Sequence, residues 1–574
     1  MERRVFLAIC LAILVMYAYQ VFFLPPPRPA ESTPPAETTT GAPPPAPEPA
    51  ELPAELPAAA TAPAALVSEP AEREITVSTS KAEIVFTNRG ARVLHWRLKG
   101  HLDDRGDPVD LVPSGLPAGT RTPFTLEVED ADVTRRATEA LYRVTGDSGG
   151  RLEIRDTPAA LVFEYQDEAG LRVRKEVRIE PDSYVVTFDA QVAVGSQTFN
   201  PTVHWGPGLG DVGAVAAGGS FFTGNYVQPP SGIYHVDGDV ERLAASAAAE
   251  DPTHEGGFVF AGIDDHYFIA TTVSPGPARL EYAPLQVGAE GEARFQYLSL
   301  AVRFADGPRQ IRFFVGPKEI EALRDVHPQL VYSINFGIFQ WLVVPLLQAL
   351  KWLYSYTGNY GWAIIALTIL INLAMFPLRH KSLVSMRKMQ LIQPQVKAIQ
   401  ERYADLKIAD PARQKMNTEI MNLYREKGVN PAAGCVPMLL TMPVLLAFYS
   451  LLSQSIELRG AEFGFWIHDL SSKDPYYVTP LLMGATMFLQ QWMAPTTADP
   501  MQQRMMMIMP VVFTVLFLGF PSGLAIYYLI SNVFQVGQQY FTNRVIGPPP
   551  GARPQRPPAE RRLKGRRGPV ADAG

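Results

Sequence analysis

Residues 361–378 read GWAIIALTILINLAMFPL, an uncharged run long enough to cross a bilayer, and Asn372 sits deep inside it. Such a run needs a non-aqueous surrounding. A side-chain amide in that surrounding must find a hydrogen-bond partner or water, because leaving it unpaired is unfavourable. Thr368 lies one helical turn earlier, on the same face as Asn372. Either the pair holds two helices together, or it faces water inside the membrane.

The run has company. Candidate spans fall at 358–377, 435–454, 478–494, 506–520 and 522–542, the last two separated only by FPSG at 520–523. Several are short, which implies tilt or local thinning of the bilayer. The start, MERRVFLAICLAILVMYAYQVFFLP, places Arg3 and Arg4 before about 20 apolar residues. A cleaved signal has a shorter core and a small-x-small site, so residues 1–24 are expected to be an uncleaved anchor with its N-terminus inside. The stretch 338–356 is either a further span or an amphipathic helix on the outer surface. Phe339, Leu342, Leu346, Leu350 and Leu353 recur at helical spacing, Gln340, Gln348 and Lys351 interrupt them, and Trp341, Trp352 and Tyr354 suit an interface. Charge decides. The loop 378–430 carries Lys and Arg from Arg379 and Lys381 to Arg425 and Lys427. The positive-inside rule puts that loop in the cytoplasm only if 338–356 lies flat. The result is six spans with both termini inside, and residues 335–357 as an interfacial helix.

The rest of the chain differs sharply in composition. Residues 25–70 are nearly all Pro, Ala, Glu and Thr, which cannot bury a core and reads as an extended linker. Residues 71–325 read as an all-β sandwich: LRVRKEVRIEPDSYVVTFDAQVAV (171–194) alternates around a Pro-Asp turn, and ITVSTSKAEIVFTN (75–88) is similar. Asp264, Asp265 and His266 read as a turn leading into a strand, and no chemistry is assigned to them. Only Cys10 and Cys435 occur, both in apolar runs, so no disulfide framework and no cysteine metal site is expected. The formal net charge of −6 carries little meaning as an average, because the basic residues cluster.

Two features carry function. The loop 378–430 reads as a helical hairpin: Met386, Met389, Ile392, Val396, Ile399, Tyr403 and Leu406 step by threes and fours, as do Met416, Ile420 and Leu423, with IADPA (408–412) as the turn and Pro394 as a kink. The Met stripe reads first as packing, and secondly as a basic platform able to accept varied apolar segments. The spans also hold polar residues: Thr368 and Asn372; Thr441, Ser450 and Gln454; Thr486, Gln490 and Gln491; Tyr527, Tyr528, Ser531, Asn532 and Gln535. Singly, each reads as a bond between helices; together they imply a shared polar surface. No charged ring of a pore, no proton relay, no membrane Ser–His pair and no G-x-x-x-x-G-K-[ST] is present.

NPAAGCVPMLLTMPVLLAFYSLL (430–452), the stretch 463–532 from FGFWIHDLSSKDPYY to LAIYYLISN, the start MERRVFLAI, and SMRKMQLIQPQVKAIQERY (385–403) resemble the YidC-type membrane protein insertases. DDHYFIATTV (264–273) and FFVGPKEIEAL (313–323) resemble the Gram-negative form with its large periplasmic domain. The resemblance implies a polytopic α-helical membrane protein of the inner membrane, with six transmembrane helices and a periplasmic β super-sandwich. It implies an insertase and chaperone, not an enzyme, that admits newly made apolar segments through a hydrophilic groove, alone or with the Sec translocon. The implied parts are an anchor (1–24), a periplasmic linker (25–70), the β domain (71–325), the interfacial helix (335–357), a five-helix core (358–543) with the cytoplasmic hairpin (378–430), and a basic cytoplasmic tail (544–574).

The groove is expected to involve Thr368, Asn372, Thr441, Gln490, Tyr527, Tyr528 and Asn532, of which Thr368, Tyr527 and Tyr528 match the family's groove positions, and the hairpin Met386, Arg387, Lys388, Met389 and Tyr403. Asn372 would face water. The family commonly has a positive charge, usually Arg, where this chain has Asn372. The implied partners are nascent membrane proteins, the Sec translocon, the lipid bilayer and the ribosome, through the hairpin and tail. No cofactor, metal or small-molecule substrate is implied. The tail GARPQRPPAERRLKGRRG (551–568) suits ribosomal RNA, a topology signal or anionic lipid equally. Two other readings are a small-solute channel or transporter, which an internal repeat would favour and none is found, and a sugar-binding or sugar-modifying domain on a membrane anchor.

Overall fold

A computed structural model of the chain describes residues 63–103, 105–117, 119–209, 228–287, 295–403, 412–429, 436–493 and 500–546. The expected anchor, nearly all of the linker, the hairpin turn and the tail beyond 546 lie outside these residues.

Among the described residues the β domain has two sheets. The smaller runs Pro108–Asp110, Arg92–Leu102, Ala82–Thr87, Glu74–Ser78, Arg151–Glu153. The main path of the larger begins Ala65–Val67, Ala159–Asp167, Leu171–Ile179, Val185–Val194, Ile311–Pro317 and continues through Phe268–Val287, Thr253–Asp264, Ser231–Val236 and Asp239–Leu243. The expected hairpin is antiparallel, with Leu171 opposite Val194 and Ile179 opposite Val186. Strand 171–179 buries every second residue, as its alternation requires. Phe86, Trp96, Phe124, Phe163, Phe188 and Phe313 fill the space between the sheets.

One member of that buried phase is a lysine. Lys175 points inward, and its Nζ lies within hydrogen-bond reach of three carbonyls: Gly90 O at 2.7 Å, Ala91 O at 3.1 Å and Phe124 O at 2.8 Å. Burial pushes its pKa down to about 7. The native state therefore binds fewer protons than the unfolded chain between about pH 7 and the ordinary lysine value. This group's stabilisation is fullest above that value and is lost as pH falls to 7. Lys175→Met leaves the carbonyls without these donors. It is expected to lower the stability of the β domain by about 2–3 kcal/mol at the alkaline end, by progressively less toward pH 7, and to abolish that pH slope. Hydrogen exchange of strands 82–102 and 171–194 in the full chain, followed across pH 7–10, measures both.

The long helices begin after the β domain, which itself holds only short ones. α1 (Gln340–Thr357) buries Val343, Leu346, Leu347 and Leu350 and leaves Trp341, Trp352 and Tyr356 exposed. Its buried stripe includes two of the five expected positions, with Leu342 and Leu353 half-buried at its edges. Lys351 Nζ lies 3.7 Å from Glu319, 2.8 Å from Glu457 and in contact with Glu321, so one cation on α1 gathers three carboxylates. Gly358, at φ 64°, ends α1 in the left-handed conformation, and Asn359 Oδ1 accepts from Trp362 N–H at 3.2 Å to start the next helix.

That helix, α2 (Tyr360–Arg402), is 43 residues long. The sequence predicts a span ending at 377 and a separate hairpin helix after it. Instead one helix runs through Pro377 and Pro394. A proline removes one backbone bond, but no glycine or turn pair beside either one offers the chain another path, so the helix continues. α3 (Ala412–Glu426) returns beside it, held where Glu419 accepts from Arg402 at 2.7 Å and from the Tyr403 hydroxyl at 3.3 Å.

α4 (Val436–Gln454), α5 (Val478–Met493), α6 (Pro500–Phe517) and α7 (Ser522–Ile546) complete the helical part. Gly484 lets α5 approach α6, since a Cβ there would stand 2.0 Å from Thr514 Oγ1. Among the described residues α2 alone is long and apolar enough to cross a bilayer, and 441–454 and 506–517 are shorter apolar helices. A single apolar cluster runs from Phe260, Ile269 and Phe314 of the large sheet, through Leu323 and Leu330, to Leu347, Ile364, Phe448 and Leu524 of the helices.

Candidate functional site

The polar residues of α2, α4, α5 and α7 converge. A cavity of about 440 Å³ lies among them, with Phe513 of α6 closing one side. A larger concavity, about 670 Å³, lies on the β domain, but its Arg143, Arg172 and Arg174 are spent on Glu164, Gly195 O and Glu176. The smaller cavity carries the less expected chemistry, because polar groups there are walled by apolar helices.

α7 contributes more of the lining than any other helix: Tyr527, Tyr528, Ser531, Asn532, Gln535, Gln538 and Gln539. Its amides also fasten it to both neighbours. Asn532 Nδ2 donates to Met483 O at 3.3 Å, Gln490 Nε2 donates to Gln535 Oε1 at 2.8 Å, and Gln539 Nε2 donates to Met493 O, all on α5. Gln538 Nε2 donates to Phe376 O on α2 at 3.1 Å. Tyr527 stacks on Phe448 of α4, with ring centroids 4.2 Å apart.

Thr368 and Asn372 stand behind this wall. Thr368 Oγ1 donates to Ile364 O at 2.6 Å. Asn372 is 2 % exposed, and its Nδ2 donates to Thr368 O at 2.8 Å and Ser531 Oγ at 3.2 Å. Asn372 joins α2 to α7, and neither it nor Thr368 is among the residues that line the cavity. The reason is geometric. A short amide reaches only the adjacent helix, and Ser531 stands within its reach.

The charge comes from elsewhere. Arg379, two turns further along the same face of α2, is only 7 % exposed and lines the cavity. Its Nη1 donates to Asn372 Oδ1 at 2.6 Å and its Nη2 to Thr441 Oγ1 on α4 at 3.4 Å. A helical side chain slants toward the N-terminus, so arginine at i+7 serves a polar group at i. Among the described residues no carboxylate lies within ion-pair range of Arg379. In the sequence Arg379 stands only as the first basic residue of the loop 378–430. The seven-residue spacing from Asn372 is the signal that reveals it.

Of the other expected groove residues, Thr441, Gln490, Tyr527, Tyr528 and Asn532 all line the cavity. Of the hairpin residues, Met386 lines it too, Arg387 is buried and bonds Asn543 on α7, Met389 is half-buried, Lys388 is exposed, and Tyr403 is engaged with Glu419. The outer faces of α5 and α6 are greasy: Leu481, Phe488 and Trp492 are exposed at helical spacing, as are Ile508, Val512 and Val515.

Two family models match the chain: the 60Kd inner membrane protein family over residues 352–548, and the YidC periplasmic domain over residues 74–349. The membrane protein insertase YidC of Pelobacter propionicus is 35% identical over 575 residues, covering 95% of this chain and 100% of that protein. That of Geobacter sulfurreducens is 35% identical, covering 95% and 99%. A crystal structure of an active YidC insertase with its first transmembrane domain resolved is 20% identical, covering 83% of this chain and 94% of that one, with a TM-score of 0.34.

Proposed function

The chain belongs to the YidC family of membrane protein insertases, and from that premise we propose that the cavity between α2, α4, α5 and α7 is where it receives the polar flank of an incoming apolar segment. The observation that carries this reading is Arg379, a buried cation bonded to two neutral side chains at the cavity wall. An acidic or polar flank entering there exchanges bulk water for amides, hydroxyls and a guanidinium. Its desolvation penalty falls accordingly. The apolar part then partitions into lipid along the exposed faces of α5 and α6, at roughly −0.3 to −0.6 kcal/mol per Leu, Ile, Phe or Val. No covalent step is involved.

The arrangement proposed around this step has six spans: the anchor 1–24, the apolar part of α2, and α4 to α7. Both termini lie in the cytoplasm and the β domain in the periplasm. α1 lies flat on the outer surface. The support is Lys351, which ties α1 to Glu319 and Glu321 beside the β domain rather than to the basic hairpin. The hairpin α2–α3 then faces the ribosome, and Met386 connects it to the cavity. Action beside the Sec translocon and a chaperone role belong to the same reading.

Photocrosslinking from positions 441, 445 and 535 to a ribosome-bound nascent chain tests it. Crosslinks are expected to the apolar segment and its flank, and not from 255 on the β domain. Ion or solute flux through vesicles holding the protein, with no crosslink, would instead make it a channel.

A further inference from the structure

α4 is gripped at one end. Toward the β domain, Tyr449 meets Phe520 edge-on at 5.3 Å, and Ser450 Oγ donates to Phe336 O at 3.1 Å. The segment that follows enters the β domain itself. His266 Nδ1 accepts from Gln228 N–H at 3.1 Å, so its Nε2–H is left to donate to the Ser453 carbonyl. Burial pushes this imidazole down to about 4, so it stays neutral at neutral pH. Ile456, 3 % exposed, sits in the apolar core of the two sheets. The Arg459 guanidinium lies 5.0 Å over Tyr267 and 5.2 Å over Phe268. The turn holding His266, Tyr267 and Phe268 is itself fixed, because Asp265 Oδ1 accepts from Tyr267 N–H at 2.8 Å and Phe268 N–H at 2.7 Å.

The other end differs. Thr441, Met442 and Leu445 face the cavity, and Met442 is 46 % exposed. Pro443, inside α4, removes one backbone bond within this inner part of the helix. We propose that His266, Ile456 and Arg459 are positioning residues for insertion: they clasp the outer end of α4 to the β domain, so the cavity wall opens by α4 swinging at its inner end. This rests on the insertase reading of the cavity. It assigns the β domain a mechanical part in a step that occurs in the helices. The wall that must move is anchored in a body that does not.

Spin labels test it in the full chain reconstituted in vesicles. One pair, at 442 and 489, reports the inner end of α4 against α5. A second, at 255 and 462, reports the β domain against the segment beyond the clasp. The probe is a ribosome-bound nascent chain with an apolar segment of about 20 residues. On engagement the inner distance is expected to widen by on the order of 5 Å, half an entering helix diameter, while the outer distance holds. In His266→Ala/Arg459→Ala the outer distribution broadens and the initial insertion rate falls roughly threefold. His266→Gln/Arg459→Lys, which keeps the bonding groups, restores both. Ile456→Ala attacks the clasp from the helix side, leaving every β-domain residue in place, and gives the same broadening. The inference is overturned if the inner pair stays fixed while the nascent chain crosslinks to 445, if both pairs move alike in the unaltered protein, or if the clasp variants match the parent. If no crosslink forms in the cavity, the insertase reading of the site fails and takes this inference with it.

Discussion

Arg379→Leu is expected to reduce insertion of a segment with acidic outer residues by about tenfold or more, and of a segment with neutral flanks much less. The figure follows from charge-assisted hydrogen bonds, worth about 1.5–3 kcal/mol each, at roughly tenfold per 1.4 kcal/mol. The guanidinium is buried, bonded only to neutral side chains, and aimed along the cavity wall between Asn372 and Thr441. An anionic group entering the cavity would be its first opposite charge among the described residues. Arg379→Lys keeps the charge and is expected to retain most activity. Asn372→Leu keeps the arginine but removes the acceptor that holds it, giving an intermediate loss. The decisive variant is the double exchange Asn372→Arg/Arg379→Gln, which moves the charge two turns back along the same face of α2. Recovery of acidic-flank insertion would show that charge in the cavity matters, and not one side chain's shape. The measurement is the protease-protected fraction of two matched substrates in vesicles. Equal losses for both would remove the electrostatic part of the proposal.

Lys318→Met is expected to destabilise the β domain by about 3–5 kcal/mol, the usual consequence of stranding a buried charge. Asp264 is fully buried. Lys318 Nζ lies 3.1 Å from its Oδ2, and Arg242 Nε stands further off at 3.6 Å. Ser231 Oγ and Gln228 Nε2 donate to the other oxygen at 3.0 and 3.2 Å. Removing Lys318 leaves the carboxylate with its hydrogen bonds and one distant cation. Removing both charges in Asp264→Asn/Lys318→Met is expected to recover part of the loss. Thermal unfolding of the full chain in detergent, read by hydrogen exchange in strands 253–264 and 311–317, separates the cases. A double variant no better than the single one would show that the pair contributes packing and not charge. The same lesion lies next to His266, so the single variant is also expected to loosen the clasp on Ser453.

Asp264 and Lys318 show how far the residues alone could be read. DDHYF and GPK stand more than fifty positions apart, and each reads locally as a turn beside a strand. Asp265 does make that turn. Asp264 and His266 face opposite tasks that no local pattern distinguishes: one is sealed in an ion pair, the other reaches out to α4. Lys175 is similar. The alternation of strand 171–179 places it on the buried face, yet only the fold brings three carbonyls to it.

The apolar runs, the alternating strands, the basic hairpin and the family all follow from the order of the residues. These are set by composition and by the spacing of near neighbours, which a helix or a strand converts directly into a face. Thr441, Gln490, Tyr528 and Asn532 were legible as one polar surface for the same reason. The tertiary structure alone decided which polar residues bond helix to helix and which line the cavity. Asn372 is joined to Ser531, 159 positions away, and charge reaches the cavity from Arg379 two turns further along. Helix packing sets which side chains lie within about 3 Å of one another, and side-chain length sets how far a charge can travel from its own backbone. Neither is contained in the period of a run.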